Sequence, residues 1–428
     1  MKLFSTHTHK QPETSANNAA LRIGFFADTY TPQINGISVS LQLLTQTLRA
    51  DGHQVTIFAP RFPDYADVDP DVHRIPAVPY RQLPSFYISV PGTPRTSMEI
   101  RRCAFDVLHV HSPLSTGVMA YMTAKAKRTP LIYTYHTAIT DYVTYLKIGA
   151  DARPVQRAAR WFSTTTANMA DHIVAPSVKV KDLLIMQRVN RPVHVIANGI
   201  DLTRFQQPHH GSAFRRQLGL GFDTPMLLSV GRLAAEKSLN LLIEAFPHIT
   251  AHIPNARLVI AGDGDARGEL EALAAASGCG ERIHFIGMVQ REELPELLHE
   301  ADIFVSSSTC ETQCVAMAEA IAASLPIVAV SDRAFTGMFA NGVNGYVAPQ
   351  DAAGFGAVVC NLLMDTDVLQ RFGRNSLALS QHFSIEAQAS ALVALYREAI
   401  AEKASKQHKR LFFIRHSLTR STFKRSMK

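Results

Sequence analysis

The chain reads as an α/β protein built from two doubly wound domains, and three observations predict this. Its 428 residues, 46% hydrophobic and 18% charged, suffice for two full cores of ordinary composition. Short apolar runs alternate with longer amphipathic stretches along most of the length, as buried parallel strands alternate with helices. A polar segment, Gln206 to Ser212, interrupts this alternation, which then starts afresh.

Residues 1–20 are polar, lack the apolar centre of a secretory signal, and are expected to form a disordered lead. The first domain is expected over 21–205. Leu21 to Ala27 predicts a buried strand, followed by a loop with Asp28, Pro32 and Gly36 and an amphipathic helix to about Ala50. Asp51-Gly52 marks a turn, and Gln54 to Ala59 the next strand. Further strands are predicted at Val107 to His109, Leu131 to Tyr133, His172 to Ala175 and Val193 to Ile196, with a long helix near Pro154 to Ala170. The second domain, 206–384, is predicted to carry strands at Met226 to Val230, Leu258 to Ala261, Ile283 to Ile286, Ile303 to Val305 and Ile327 to Val330. A last helix over 385–402 and a basic tail over 403–428 complete the chain.

Ligands of open parallel sheets bind outside the carboxyl ends of the strands, so the loops there carry the candidate residues. Glu311 follows one such strand and Glu319 lies eight residues on, about two turns into a helix and on nearly the same face. Each carboxylate is able to accept two hydrogen bonds from a vicinal diol, which suits a ligand rich in hydroxyls. The spacing serves equally well a charge favoured by the helix dipole and a solvated helix residue. Arg232 and Lys237 follow the first strand of the second domain, where a forked donor and a point charge suit a pyrophosphate. A solvated pair at a helix start has the same pattern. Gly36 opens a helix whose free N–H groups suit a phosphate. His109 and His111 end a strand and point to one side of it, as ligand-facing or as structural histidines.

These strings together resemble retaining GT-B glycosyltransferases of the E-x7-E family, glycosyltransferase family 4. The resemblance rests on ETQ at 311–313 with Glu319, on GR at 231–232 with Glu236-Lys237, and on DTYTPQING at 28–36. YTYHTAITDYVTY at 133–145 is most similar to the diacylglycerol glucosyltransferase branch. The resemblance covers about residues 21 to 400 and implies the GT-B fold, two Rossmann-like domains facing across a cleft. It implies that Glu311 and His111 lie against the transferred sugar, Glu319 against the nucleotide ribose, Arg232, Lys237 and Gly36 against the diphosphate, and His136, Asp141 and Tyr142 on the acceptor side. It also implies that the final helix crosses back onto the first domain. Three departures stand out: Cys314 and Ser324 where relatives usually have Gly, and no acidic residue near Met338.

The formal net charge of +7 is confined to the tail. From Lys403 onward nine Lys/Arg stand without an acid, leaving 34 basic against 36 acidic residues elsewhere. Lys409, Arg410, Phe412, Phe413 and Arg415 interleave cations with aromatics, which suits an anionic membrane surface better than nucleic acid or a purely solubilising tail. Arg153, Arg157 and Arg160 beside Trp161 and Phe162 suit lipid head groups or a solvated face. No apolar run reaches the roughly 18 residues needed to span a bilayer. Five scattered cysteines read as reduced cytosolic thiols. Asp263-Gly264-Asp265 reads as a turn, not a cation site, and no metal or other cofactor is expected beyond the sugar-nucleotide co-substrate.

The expected function is therefore transfer of an α-hexosyl group, glucosyl from UDP-glucose, to a lipid hydroxyl such as that of diacylglycerol. The expected location is cytoplasmic, peripheral on the inner face of the cell membrane. Mannosyl or other hexosyl transfer to phosphatidylinositol or to a polysaccharide or lipopolysaccharide acceptor is the alternative within the class. A sugar-nucleotide epimerase and an inactive nucleotide-binding scaffold are the alternatives outside it; the epimerase needs first-domain acid/base carboxylates that the sequence does not present.

Overall fold

The computed structural model describes residues 19–425 apart from 34, 64, 82, 137–152 and 208–210, with backbone alone for 83–86 and 410–425. Among the described residues, fifteen strands follow in chain order. β1 is Arg22–Phe26, β2 Gln54–Pro60, β3 Val72–Ile75, β4 Ala77–Tyr80, β5 Leu83–Ser89, β6 Val107–Val110, β7 Leu131–Thr134, β8 His172–Ala175 and β9 Val193–Val195. β10 is Met226–Val230, β11 Arg257–Ala261, β12 Ile283–Gly287, β13 Ile303–Ser306, β14 Ile327–Val330 and β15 Gly345–Ala348.

Two parallel sheets result. The first has the order β3-β2-β1-β6-β7-β8-β9 and the second β12-β11-β10-β13-β14-β15. The strand order reverses between β1 and β6 in the first sheet and between β10 and β13 in the second. Each reversal opens a crevice at the carboxyl ends of its two central strands, because the flanking helices diverge to opposite faces there. Register at these pairs is set by Phe26 opposite Val110 and Leu228 opposite Phe304. Helices cover both faces, so the central strands are apolar on both sides: β6, β7, β8, β13 and β14 are buried at every residue.

The predicted strands all form, with ends within a residue or two of expectation. β3, the antiparallel β4–β5 hairpin and β15 were not predicted. β3 and β15 are sheet edges with mixed burial and carry little apolar periodicity. The hairpin holds Pro79 and Pro84, which demote a run from strand to turn in a sequence reading.

The last helix departs most from expectation. It runs unbroken from Ile385 to Arg425, through the boundary expected at 402. Its 41 residues include no Gly or Pro, so nothing in the chain stops it. Its first half packs on the first domain: Ile385, Ala389, Leu392, Leu395 and Tyr396 join the core built on Ile23, Phe25 and Leu41. Lys403 still pairs with Asp171 at 2.8 Å, and Gln407 donates to the Arg128 carbonyl at 3.1 Å. The chain crosses between the domains twice, and the crossings are bonded together: Ile200 N–H donates to Phe383 C=O at 2.8 Å and Ile385 N–H to Ile200 C=O at 2.9 Å. Gly199 sits against this crossing, where a Cβ would meet the Ile385 Cα at 2.5 Å.

Candidate active site

The two sheet reversals face one another across a cavity of about 530 Å³. Gly36 lines it from the first domain. From the second come Arg232 and Lys237 after β10, Ser307, Ser308 and Glu311 after β13, and Cys314 to Ala316 at the start of the helix Val315–Ala322. Gly36, Arg232, Lys237 and Glu311, candidate residues in the sequence, therefore line one cavity, although they are up to 275 positions apart (36 to 311). The β10 and β11 loops meet closely beneath it: Gly262 has φ +137°, and a Cβ there would collide with the Gly231 carbonyl.

Lys237 Nζ lies 2.6 Å from Glu311 Oε1, and Glu311 is only 9% exposed. Arg232 pairs with Glu236 on the open side of the same loop. Both cations expected at a diphosphate are thus held by carboxylates of the chain itself. The two helix starts differ. Asn35 Oδ1 accepts the N–H groups of Ile37 and Ser38 at 3.1 and 3.0 Å, so the helix Gly36–Ala50 has fewer free donors than its sequence implied. The helix Val315–Ala322 has no side-chain cap, and its first-turn amides lie against the cavity.

Glu319 does not line this cavity. It lies on the next turns of the helix, in the field of Arg291 and Arg204, and burial pushes its carboxyl up to about 7 against the pull of those two guanidiniums. Cys314, buried at the cavity edge, has its thiol pushed up to about 12 by burial and by Glu311. Ser324 stands at φ +66° just past this helix. Its N–H donates to Ile321 C=O at 3.1 Å and Leu325 N–H to Ala320 C=O at 3.0 Å, which is the Schellman pattern of a helix end. Ser324 therefore holds the left-handed C′ position, where a glycine would sit without strain.

On the first-domain side, His109 and His111 leave β6 on one side, their ring centroids 4.0 Å apart. His109 is fully engaged, by Tyr396 Oη and Thr134 Oγ1, both at 2.6 Å. His111 Nδ1 meets His136 Nε2 at 3.1 Å, and its Nε2 is buried without a partner among the described residues. Burial, reinforced by the neighbouring rings, holds His111 well below the usual histidine range; burial takes His136 to about 4. Both rings are neutral near pH 7, so His111 offers a hydrogen bond and not a charge. Asp28 accepts from Ser115 Oγ at 3.0 Å and Thr116 N–H at 3.2 Å, and burial raises it to about 6. Asp141 and Tyr142 lie outside the described residues.

Several contacts on this wall were not found in the sequence. Gln313 bonds the hinge, accepting Asn198 N–H at 2.7 Å and donating to Asn198 C=O at 2.9 Å. Asp332, 2% exposed in its side chain, accepts from Lys179 of the first domain at 2.6 Å. The partners are over 100 positions apart, and no local motif announces either pair. Asp263 accepts the Gly264 N–H at 2.7 Å and pairs with Arg267, as expected of a turn. Elsewhere, Arg153, Arg157, Arg160 and Trp161 are exposed on the helix Arg153–Met169, and Lys409 on the last helix. For Arg410, Phe412, Phe413 and Arg415 the structure gives helical backbone alone. No single helix among the described residues is long and apolar enough to cross a membrane. All five cysteines are free.

A cleft between two doubly wound lobes, with the reversal points of both sheets opposed across it, defines a GT-B protein. Residues 34–204 match Glycosyltransferase Family 4 and residues 212–378 match Glycosyl transferases group 1. The chain is 29% identical over 400 residues to the alpha-monoglucosyldiacylglycerol synthase of Acholeplasma laidlawii, covering 91% of this chain and all of that one. It is 30% identical to the protein of the same name from Streptococcus pneumoniae, covering 78% and 77%. It is 31% identical to a GDP-mannose-dependent alpha-mannosyltransferase of Mycobacterium tuberculosis, covering 72% and 79%. Among solved structures, the Thermosynechococcus elongatus sucrose-phosphate synthase superposes with a TM-score of 0.70 at 21% identity, over 89% of this chain and 100% of that one. Anabaena Alr3699/HepE in complex with UDP and glucose gives 0.66 at 19% identity, over 90% and 100%. The chain belongs to the family 4 glycosyltransferases and has their GT-B fold.

Proposed function

We propose that this chain transfers an α-glucosyl group from UDP-glucose, with retention, to the hydroxyl of diacylglycerol at an anionic membrane surface. The observation that carries the reading is the shared cavity wall: Lys237, Glu311 and the uncapped start of the helix Val315–Ala322 converge on one space between the lobes. In this reading the first-turn amides, Arg232 and Lys237 receive the diphosphate and stabilise the charge that develops as it leaves. Glu311 orients the sugar through its hydroxyls, and Glu319 holds the ribose from the neighbouring turns. His111 Nε2, neutral and without a partner among the described residues, hydrogen-bonds the sugar from the opposite lobe. His136, Asp141 and Tyr142 receive the acceptor. The reading assigns the cationic role at the diphosphate to side chains and amides and asks for no metal. Closure of the lobes excludes water, whose attack on the donor is the competing reaction.

The two synthases named above favour glucose and diacylglycerol. The basic last half-helix favours an anionic surface, which we take to be the inner face of the cell membrane. A second reading, mannosyl transfer from GDP-mannose to a lipid such as phosphatidylinositol, draws on the mycobacterial relative. The test is a panel of UDP-glucose, UDP-galactose and GDP-mannose against vesicles holding diacylglycerol or phosphatidylinositol, with and without EDTA. The expected product is α-glucosyldiacylglycerol at an EDTA-insensitive rate. Turnover of GDP-mannose alone, or of no donor on either lipid, overturns the reading.

A further inference from the structure

The loop that carries Glu311 is held from the other domain. The helix Val178–Met186 belongs to the first domain and presents Lys179 and Asp182, three residues apart and on one face. Opposite them stand Asp332 and Arg333, just after β14 of the second domain. Lys179 Nζ lies 2.6 Å from Asp332 Oδ2, and Arg333 Nη2 lies 2.7 Å from Asp182 Oδ2. The two ion pairs cross the cleft in opposite senses.

They are not equivalent. Arg333 is 69% exposed and its pair with Asp182 is solvent-screened, hence worth little. The Asp332 side chain is 2% exposed and has three donors: Lys179 Nζ, the Ala334 N–H at 2.8 Å and the Glu311 N–H at 3.3 Å. Lys179 also donates to the Thr309 carbonyl at 2.7 Å. One ammonium from the first domain thus grips both sides of Cys310, directly before Glu311: Thr309 itself, and Glu311 through Asp332. The two Lys179 bonds and the Arg333–Asp182 pair are lost on separation of the lobes, because helix 178–186 leaves with the first domain; the bonds of Asp332 to the Ala334 and Glu311 amides stay within the second.

We propose that Lys179 is a positioning residue that makes the seating of Glu311 conditional on closure of the two domains. The inference rests on Glu311 acting on the donor sugar, as in the reading above. With the lobes apart, Asp332 loses its cation and Thr309 its ammonium donor, so Glu311 keeps only its second-domain contacts to Lys237 and Asp332 and a donor bound in the open cleft meets a less firmly set carboxylate. Closure then sets the loop and excludes water in the same movement, which suppresses donor hydrolysis before the acceptor is in place.

The test compares Lys179→Met, Asp332→Asn and the control Asp182→Asn by UDP release, UDP affinity and hydrogen exchange. Displacement of a reacting group by about 1 Å costs roughly 10²-fold, so Lys179→Met and Asp332→Asn should each lower kcat roughly 10- to 100-fold. UDP affinity, whose proposed contacts at Arg232, Lys237, Glu319 and the helix Val315–Ala322 lie in the second domain away from Lys179, should stay within about twofold, the double variant should be no worse than either single, and Lys179→Arg should recover part of the loss. Asp182→Asn should change kcat by less than about threefold. In UDP-bound protein, amides of 308–314 should exchange faster in Lys179→Met than in wild type. An unchanged kcat, or equal exchange, overturns the proposal, as does a loss of UDP affinity matching the loss of kcat. If wild type turned over no sugar nucleotide, the functional reading would fall, while hydrogen exchange would still decide this one.

Discussion

Replacing Glu311 by Gln should tighten the binding of UDP while abolishing most turnover. The Lys237 ammonium is neutralised by Glu311 at 2.6 Å, within a pair whose carboxylate side chain is only 10% exposed. UDP has no sugar for Glu311 to contact, yet in the proposed reading its diphosphate is received by Lys237. Binding must therefore loosen or share this ion pair and bring two phosphates near a carboxylate. Glutamine keeps the shape and one hydrogen-bonding oxygen but removes the competing charge. A partly screened ion pair contributes about 1 kcal/mol, so its release should tighten UDP roughly fivefold. Turnover should fall because the carboxylate no longer orients the sugar, roughly 10²-fold or more if its role compares with one preorganised polar contact. Isothermal titration with UDP, with thermal unfolding to confirm the fold, measures the first effect, and UDP release from UDP-glucose the second. UDP bound equally or more weakly by Glu311→Gln would refute the claim that the two residues compete for one charge.

Glu319, raised from 4.5 to about 7 in the folded protein, contributes stability that is present below pH 4.5 and lost as pH rises through 7. Denaturant unfolding at pH 5 and 8 should show this fall in wild type to be steeper than in Glu319→Gln, and parallel profiles would remove the burial argument. Ser324→Gly should stabilise the second domain by about 0.5–1 kcal/mol, or roughly 1–4 °C in Tm, by relieving the left-handed residue at φ +66° while leaving UDP affinity unchanged. An unchanged or lower Tm would contradict it. Deleting residues 409–428 removes seven Lys/Arg and no acid. At roughly 1 kcal/mol per cation near an anionic surface, sedimentation with phosphatidylserine vesicles should fall by at least about 10²-fold, with the Lys403–Asp171 contact intact; equal sedimentation would free the tail from any membrane role.

The strands of both sheets were legible because burial on two faces writes continuous apolar runs, as in Phe304-Val305 and Ile327-Val328. Gly36, Arg232, Lys237 and Glu311 were legible for a related reason: a doubly wound sheet puts its ligand at the strand exits nearest the reversal, and each of these follows β1, β10 or β13. Edge strands β3 and β15 wrote no such signal. Contacts made after the lobes meet were not legible either. Lys179 sits on a helix like any solvated lysine, and only the apposition of Asp332 gives it a role. Glu319 lies on the helix expected, but its setting in the field of Arg204 and Arg291 depends on residues far off in the chain.

The charges of the cleft follow the same division. Counted along the sequence, Arg232 and Lys237 make a cationic clamp. In the folded protein each has a carboxylate partner, Glu236 and Glu311, so the side chains of this wall are close to neutral as a set. The attraction for a diphosphate then falls to the amides at the start of the helix Val315–Ala322, which no N-cap side chain satisfies. The cations are released only as the ligand replaces their partners. Such a wall discriminates: an anion that contacts the amides alone leaves both ion pairs intact and gains little. A sugar nucleotide that places hydroxyls on Glu311 and phosphates on Lys237 satisfies both halves of the broken pair at once. Inorganic phosphate should accordingly compete with UDP far more weakly than its charge suggests.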